Sequence, residues 1–353
     1  MKFFIIGGTG SLGKKLIDRL IDVHEVFVYS RDESKQWSIK NDLLHRGTAP
    51  VTFFVGDIRD KNRLKDALRQ SRPDIVISAA ALKQVDVCEI NPDESIKTNL
   101  IGTQNVIDAV NEYAHSMTTG IGNIKKVTLL FVSTDKACAP VNTYGMSKAL
   151  SERLVTSQAK TGLKNVKYVC VRYGNVLESR GSIIPLFRYQ AENSEYLTVT
   201  NPDMTRFLMT LDQSVDLIFK TIELGASGET WISKLPAMRI GDIADVFAEH
   251  YGKEVKKINE RPGEKMHEDL INESESIRTR LVDSGKYYAI QPAFIVDSEP
   301  RFEYSSNDDV MTKVELRDFL TKIEVLDAPM ERFSGQKIEE IVSTAPVAKR
   351  EKK

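Results

Sequence analysis

"KFFIIGGTGSLGKKLIDRL", Lys2 to Leu20, is the stretch on which the reading of the fold turns. An apolar run of strand length, residues 2–7, passes straight into Gly7, Gly10 and Gly13, and then into apolar residues at helical spacing over 11–22. Residues without a side chain let a backbone approach a pyrophosphate, whose charge is met by the amides and dipole of the helix that follows. A glycine triplet alone is equally a structural turn. Strand, glycines, helix and a second strand arriving in that order favour a dinucleotide site. Gly7, Thr9, Gly10, Ser11, Leu12 and Gly13 are its first candidate residues.

Working outward, apolar runs at 25–30, 52–58, 74–80, 127–133 and 167–176 read as strands. Helical patterns fill 33–45, 60–71, 94–115 and 143–160. Continuous apolar strands with helices between them mean a parallel sheet covered on both faces, and six such units predict an α/β, Rossmann-type doubly wound fold. After Asn175 the pattern breaks. A short helix "IIPLFRYQ", a strand-like "YLTVT", helices over 212–224 and 241–251 and irregular polar segments predict a smaller substrate-binding lobe. The expected division is 1–176 for the cofactor domain, with 208–233 returning to it, and 177–207 with 234–325 for the lobe. The basic ending "AKREKK" predicts a flexible tail over 340–353.

The 353 residues carry 49 Lys and Arg against 50 Asp and Glu, so nothing suggests a nucleic-acid or anionic-membrane partner. The opening apolar run is too short for a signal peptide, and no apolar stretch reaches the roughly 18 residues of a membrane span. Three scattered cysteines, Cys88, Cys138 and Cys170, suit free thiols in a reducing cytoplasm. His267 in "EKMHE" lacks zinc-ligand spacing and the other four histidines are isolated, so no metal site is expected.

The end of the second strand selects the cofactor. An NAD site carries an acid there for the ribose hydroxyls. Here the run is "VYSRDESK", in which Ser30, Arg31 and Lys35 suit a 2′-phosphate and favour NADP. A shift of one residue would instead bring Asp32 to the ribose. Asp57 and Ile58, after the third strand, are candidates for the adenine side, although an acid there can simply cap the next helix. Ala79, Ala80 and Ala81 leave room for the nicotinamide half against the backbone.

In "STDKACAPVNTYGMSK", Ser133 to Lys148, Tyr144 and Lys148 share a helix face at i, i+4. An ammonium beside a phenol is expected to draw its pKa down from ~10 towards neutrality, so that it takes an alcohol proton as hydride leaves for a nicotinamide. Y-x-x-x-K also arises as a surface pair. Asp135 and Lys136 are a second acid and a second amine at the end of the fifth strand, or simply an ion pair capping it.

"TGSLG", "STDKACAPVNTYGMSK", "RYGNVLESRGSIIPLF", "MTRFLMTL" and "RPGEKMHE" together resemble the soluble UDP-N-acetylglucosamine 4,6-dehydratases of the extended short-chain dehydrogenase/reductase superfamily, related to capsule and flagellin-glycan biosynthesis proteins. The resemblance runs from Met1 to about residue 325. It implies tightly bound NADP, a UDP-sugar substrate, and assembly as a hexamer or dimer. It makes Lys136 the base that removes the proton at carbon 5, Asp135 the acid that protonates the departing 6-hydroxyl, and Tyr144 the partner of the 4-hydroxyl, with Thr134 beside them. Each catalytic pKa then has to move: Lys136 down, Asp135 up. A tyrosine where some relatives carry methionine points to inversion at carbon 5, giving UDP-2-acetamido-2,6-dideoxy-β-L-arabino-hexos-4-ulose. Arg180, Arg206 and Arg261 match the family's phosphate clamps and Glu264 its ribose acceptor. Asn175, after the sixth strand, is placed to bond diphosphate or sugar, and Lys83 to touch substrate. A UDP-hexose 4-epimerase or 4-reductase shares the tyrosine and lysine without needing the Asp135–Lys136 pair. A non-catalytic NADP-binding regulator is a further alternative.

Overall fold

The computed structural model describes residues 1–48, 50–117, 125–177, 179, 182–259, 263–294 and 301–328. The chain divides into two compact units. The larger holds Met1–Tyr173, Asp212–Lys234 and Asp269–Tyr304, and the smaller holds Gly174–Leu211, Leu235–Glu268 and the chain from Ser305 onward.

In the larger unit, β1 (Lys2–Ile6), β2 (Glu25–Ser30), β3 (Thr52–Val55), β4 (Ile75–Ser78), β5 (Val127–Val132) and β6 (Val166–Val171) lie in the order 3-2-1-4-5-6, all parallel. This is the doubly wound Rossmann-type sheet that the apolar runs predict. Phe4, Ile5, Val76, Ile77 and Leu130 are fully buried, as strands covered on both faces require. One covering layer packs Leu64, Leu68, Val106, Val110 and Tyr113 of the helices Lys61–Ser71 and Gly102–Ser116 against Phe4, Phe54, Leu129 and Phe131.

The sheet goes beyond the six expected strands. Thr230–Ser233 adds parallel to β6, and the hairpin Tyr287–Ile290 with Thr279–Val282 adds antiparallel beyond it, making nine. That corrects the placement of 234–325 in the lobe, because 269–304 groups with the sheet it extends. The strands are also shorter than the apolar runs: 52–58 ends as a strand at Val55 and 167–176 at Val171. The residues beyond those ends are turns that carry candidate site residues. The helical run 94–115 is interrupted by a π-helical turn over Ile96–Ile101.

The smaller unit has its own core. Helices Ile183–Asn193, Ile240–Tyr251 and Lys313–Lys322 surround Leu197, Met204, Leu208 and Met238, and the rings of Phe187 and Phe247 sit 5.7 Å apart. Two short ribbons complete it, Tyr196–Val199 with Glu254–Lys257 and Thr205–Phe207 with Ala237–Arg239.

Candidate active site

The glycine turn forms as the opening stretch predicts. Gly7 has φ of 83°, a conformation costly for any residue with a side chain, and a Cβ there would meet the Ala80 amide nitrogen at 2.7 Å. The turn therefore lies directly against Ala79 and Ala80. Gly10 stands at the N-cap of helix Ser11–Leu20, contributing no side chain, and the first turn carries no acid. Amides and dipole at that end suit a phosphate.

At the end of β2 the geometry qualifies the cofactor reading. Asp32 caps helix Glu33–His45 by accepting from the Lys35 amide at 2.9 Å, an interaction typically worth ~1 kcal/mol. Its other oxygen is 3.1 Å from Lys35 Nζ, so this acid and this cation are paired with each other. Arg31 is exposed, 3.8 Å from Asp57 Oδ2. Asp57 itself is gripped by Arg59 through its amide and guanidinium, and its pKa falls: those bonds outweigh the larger single effect of burial, which raises it. Ser30 is buried, its hydroxyl accepting from Gln36 Nε2 at 2.9 Å.

The reaction centre is built from two elements. Asp135–Ala137 form a single 3-10 turn beyond β5, and Thr143–Thr161 form the long helix bearing Tyr144 and Lys148. Asn142 caps that helix through the Gly145 amide at 2.8 Å. Gly145 allows the two elements to touch: a Cβ on it would lie 2.1 Å from the Lys136 carbonyl oxygen. The Thr134 hydroxyl donates to Asp135 Oδ1 at 2.9 Å, and its proximity lowers the Tyr144 pKa against burial. The same Oδ1 accepts from the Lys136 amide at 2.8 Å and from Lys136 Nζ at 3.2 Å. Asp135 Oδ2 is buried and, among the described residues, has no hydrogen-bond partner. Thr134, Asp135 and Lys136 thus form one polar cluster, with Tyr144 beside it.

Lys148 shares the helix face of Tyr144 as its spacing predicts, and its ammonium is held at the end of β5. Its Nζ donates to the Val132 carbonyl at 2.7 Å and lies 3.8 Å from the centre of the Phe131 ring. Burial lowers its pKa to about 7 against the raising effect of Glu152. Burial also pushes Tyr144 up to about 12, with Thr134 and the Lys136 charge pulling the other way. In this arrangement desolvation is the largest influence on the phenol, and the cation that lowers its pKa is Lys136.

Three residues that hold this geometry have no role in the sequence reading, although Gly145 and Arg172 lie inside quoted motifs. Asn99, on the π-helical turn, accepts from the Leu82 amide at 2.8 Å and donates to the Leu82 carbonyl at 2.9 Å and to Ser147 Oγ at 3.0 Å. It ties the segment after β4 to the tyrosine-bearing helix. Gly145 could have been flagged, since a glycine inside a helix costs up to ~1 kcal/mol and asks for a close contact. Arg172 gave no local signal.

Of the remaining cofactor candidates, Ala79 to Ala81 and Ile58 flank the turns at the sheet's carboxyl edge, and of the substrate candidates Lys83 is exposed. Within the smaller unit, Asn175 and Glu264 are half-buried. Arg206 is buried, donating to the Thr205 carbonyl at 2.7 Å and lying 3.8 Å from Glu268. That internal engagement is not what a phosphate clamp on the surface would show. Arg180, Arg261 and the 340–353 tail lie outside the described residues. Among the described residues, no helix is long and apolar enough to cross a membrane, and no cluster of three or more His, Cys, Asp or Glu could hold a metal ion.

Strand order 3-2-1-4-5-6, a glycine turn into a helix, and a Tyr-x-x-x-Lys helix beside β5 define a Rossmann-fold protein of the short-chain dehydrogenase/reductase type. The chain belongs to the polysaccharide biosynthesis protein family, whose model matches residues 3–292. It is 39% identical over 316 residues to a UDP-N-acetylglucosamine 4,6-dehydratase (inverting) of Campylobacter jejuni, covering 88% of this chain and 89% of that one. It is equally 39% identical over 295 residues to a UDP-glucose 4-epimerase of Rickettsia bellii, covering 81% of each. The solved structure of Pen from Bacillus thuringiensis superposes with a TM-score of 0.81 at 32% identity, covering 92% of this chain and 98% of that one.

Proposed function

We propose that this chain is an NADP-dependent UDP-N-acetylglucosamine 4,6-dehydratase that inverts carbon 5. The observation that carries the reading is the Asp135–Lys136 pair, 3.2 Å apart, with Thr134 bonded to the same carboxylate and both charges acting on Tyr144. Moving one proton across that contact turns an ion pair into a carboxylic acid and a neutral amine, the two groups an elimination needs.

A nicotinamide dinucleotide, which Gly7, Gly10 and Gly13 would hold, would supply hydride acceptance at carbon 4 and hydride return at carbon 6. Tyr144, as its phenolate, accepts the 4-hydroxyl proton and later gives it up to solvent, because Asp135 already holds the proton it received from Lys136. The ketone at carbon 4 acidifies the hydrogen at carbon 5, which Lys136 removes. Asp135 protonates the 6-hydroxyl, which leaves as water. A solvent proton then reaches carbon 5 as hydride reaches carbon 6, so the net change is loss of one water.

Arg31, exposed at the end of β2, supports NADP, since it can reach a 2′-phosphate with only a 3.8 Å contact to Asp57 to give up. Exposed Val87, Ile90, Ile96, Ile101, Met146 and Leu150, on helical segments that pack beside one another, support a homo-oligomer, which light scattering tests. Three buried free thiols suit a cytoplasmic setting.

The similarity to a UDP-glucose 4-epimerase keeps a second reading in view, which the Asp135–Lys136 pair disfavours because epimerisation has no use for it. Incubation with UDP-N-acetylglucosamine separates the two. Dehydration yields a 4-keto-6-deoxy sugar with a new methyl signal, whereas a product isomeric with the substrate refutes it.

A further inference from the structure

We propose that Arg172 is a positioning residue that holds the two halves of the reaction centre in register, an inference that rests on the dehydratase reading. Arg172 follows β6 directly and its side chain is 3% exposed. Its guanidinium has five N–H donors, and five bonds use them. Nε and one terminal nitrogen reach the two oxygens of Glu152 at 3.0 and 2.6 Å. Both terminal nitrogens reach the oxygens of Glu275 at 2.7 and 2.9 Å, and the fifth bond goes to the Leu270 carbonyl at 2.8 Å.

Each glutamate leads to one half of the site. Glu152 stands one turn beyond Lys148 and two beyond Tyr144 on the same helix, and its charge raises the Lys148 pKa against burial. Glu275 Oε2 accepts from Cys138 Sγ at 3.7 Å, and the Cys138 amide closes the Asp135 turn by donating to the Asp135 carbonyl at 2.9 Å. The residues flanking Arg172 hold the same turn from the backbone: the Val171 carbonyl accepts from the Ser133 amide at 2.7 Å and the Tyr173 carbonyl from the Asp135 amide at 3.0 Å. Arg172 therefore braces the oxidation half, Tyr144 and Lys148, against the elimination half, Asp135 and Lys136.

The cluster is balanced, with Glu152 and Glu275 set against Arg172 and Arg278, whose guanidinium is 3.7 Å from Glu275. Apolar residues of similar volume often stabilise as well as a buried ion cluster does, so stability alone gives little reason for one here. Fixed geometry does, because the five-donor fork admits one arrangement of two carboxylates and a carbonyl.

The test follows the two steps separately in the holoenzyme after rapid mixing with UDP-N-acetylglucosamine. Reduced-nicotinamide absorbance reports oxidation at carbon 4, and release of 4-keto-6-deoxy sugar reports elimination. In Glu275→Gln, oxidation stays within about twofold while product release falls about 100-fold, the loss a ~1 Å misplacement brings, so reduced cofactor accumulates. Amide hydrogen exchange over Ser133–Cys138 in the free protein rises in the same variant. Glu152→Gln, which frees the Tyr144 helix from Arg172, slows the oxidation step and leaves exchange over Ser133–Cys138 unchanged. Arg172→Lys, which keeps the charge but not the fork, impairs both steps. If both rates fall in parallel in Glu275→Gln and Glu152→Gln, or neither falls, the positioning role is overturned while the dehydratase reading stands. A wild-type chain that forms no 4-keto-6-deoxy sugar overturns that reading, and this inference with it.

Discussion

Replacing Gly145 with alanine inserts a methyl group between the two elements of the reaction centre. The new Cβ would lie 2.1 Å from the Lys136 carbonyl oxygen, which is backbone and cannot rotate away. Reaching even a tight 3.0 Å contact requires the helix and the turn to part by about 1 Å. Overpacking of this kind costs about 1–3 kcal/mol, which at about 2–4 °C per kcal/mol lowers the melting temperature by roughly 2–12 °C. Turnover is more sensitive, because Tyr144 rides on the helix and Lys136 on the turn, and a ~1 Å displacement of reacting groups costs about 100-fold. Gly145→Ala is expected to stay folded and to lose about two orders of magnitude in kcat for dehydration, measured beside thermal denaturation. Turnover within about threefold of wild type would mean that the contact between turn and helix does not set the chemistry.

Asp135→Asn removes the acid while keeping the shape, and lowers dehydration by about 10²–10⁴-fold, with carbon-4 oxidation persisting as a single burst of reduced cofactor. Loss of both steps alike would remove Asp135 from the elimination. Lys148 has a folded pKa of about 7, below its unfolded value of ~10.4, so between those pH values the unfolded chain binds more protons and stability rises with pH. Lys148→Met therefore raises the melting temperature most at and below about pH 7, and the gain fades as pH approaches ~10. A gain constant across that range contradicts burial as the cause. Arg31→Ala weakens NADP binding by roughly 10–100-fold, the loss of one charge-assisted contact, and leaves NAD binding unchanged in calorimetry. An equal effect on both cofactors ends the 2′-phosphate argument.

The parts of this molecule that were legible in sequence are those specified over short distances. The glycine turn, the six parallel strands and the tyrosine-bearing helix each depend on neighbours within a few residues, and they form where the apolar runs and glycines put them. The hairpin over 279–290 was not legible, since its pairing with Thr230–Ser233 is long-range and its outer strand leaves Leu281 59% exposed. Spacing placed Tyr144 and Lys148 on one helix, but it could not reveal that Phe131 and the Val132 carbonyl would receive the ammonium. The Arg172 cluster joins residues up to 103 positions apart, beyond the reach of any local pattern. Arg206 matches a phosphate clamp by its motif, which gives no sign that Glu268 and two backbone carbonyls would lie around it.

The account depends on oxidation and elimination occurring in one site, with hydride conserved within the sugar. UDP-N-acetylglucosamine deuterated at carbon 4 and turned over in ordinary water tests this directly. The account predicts a 4-keto-6-deoxy product whose deuterium has moved to the carbon-6 methyl group, with a solvent hydrogen at carbon 5. Deuterium retained at carbon 4 of a sugar that keeps its 6-hydroxyl would contradict it.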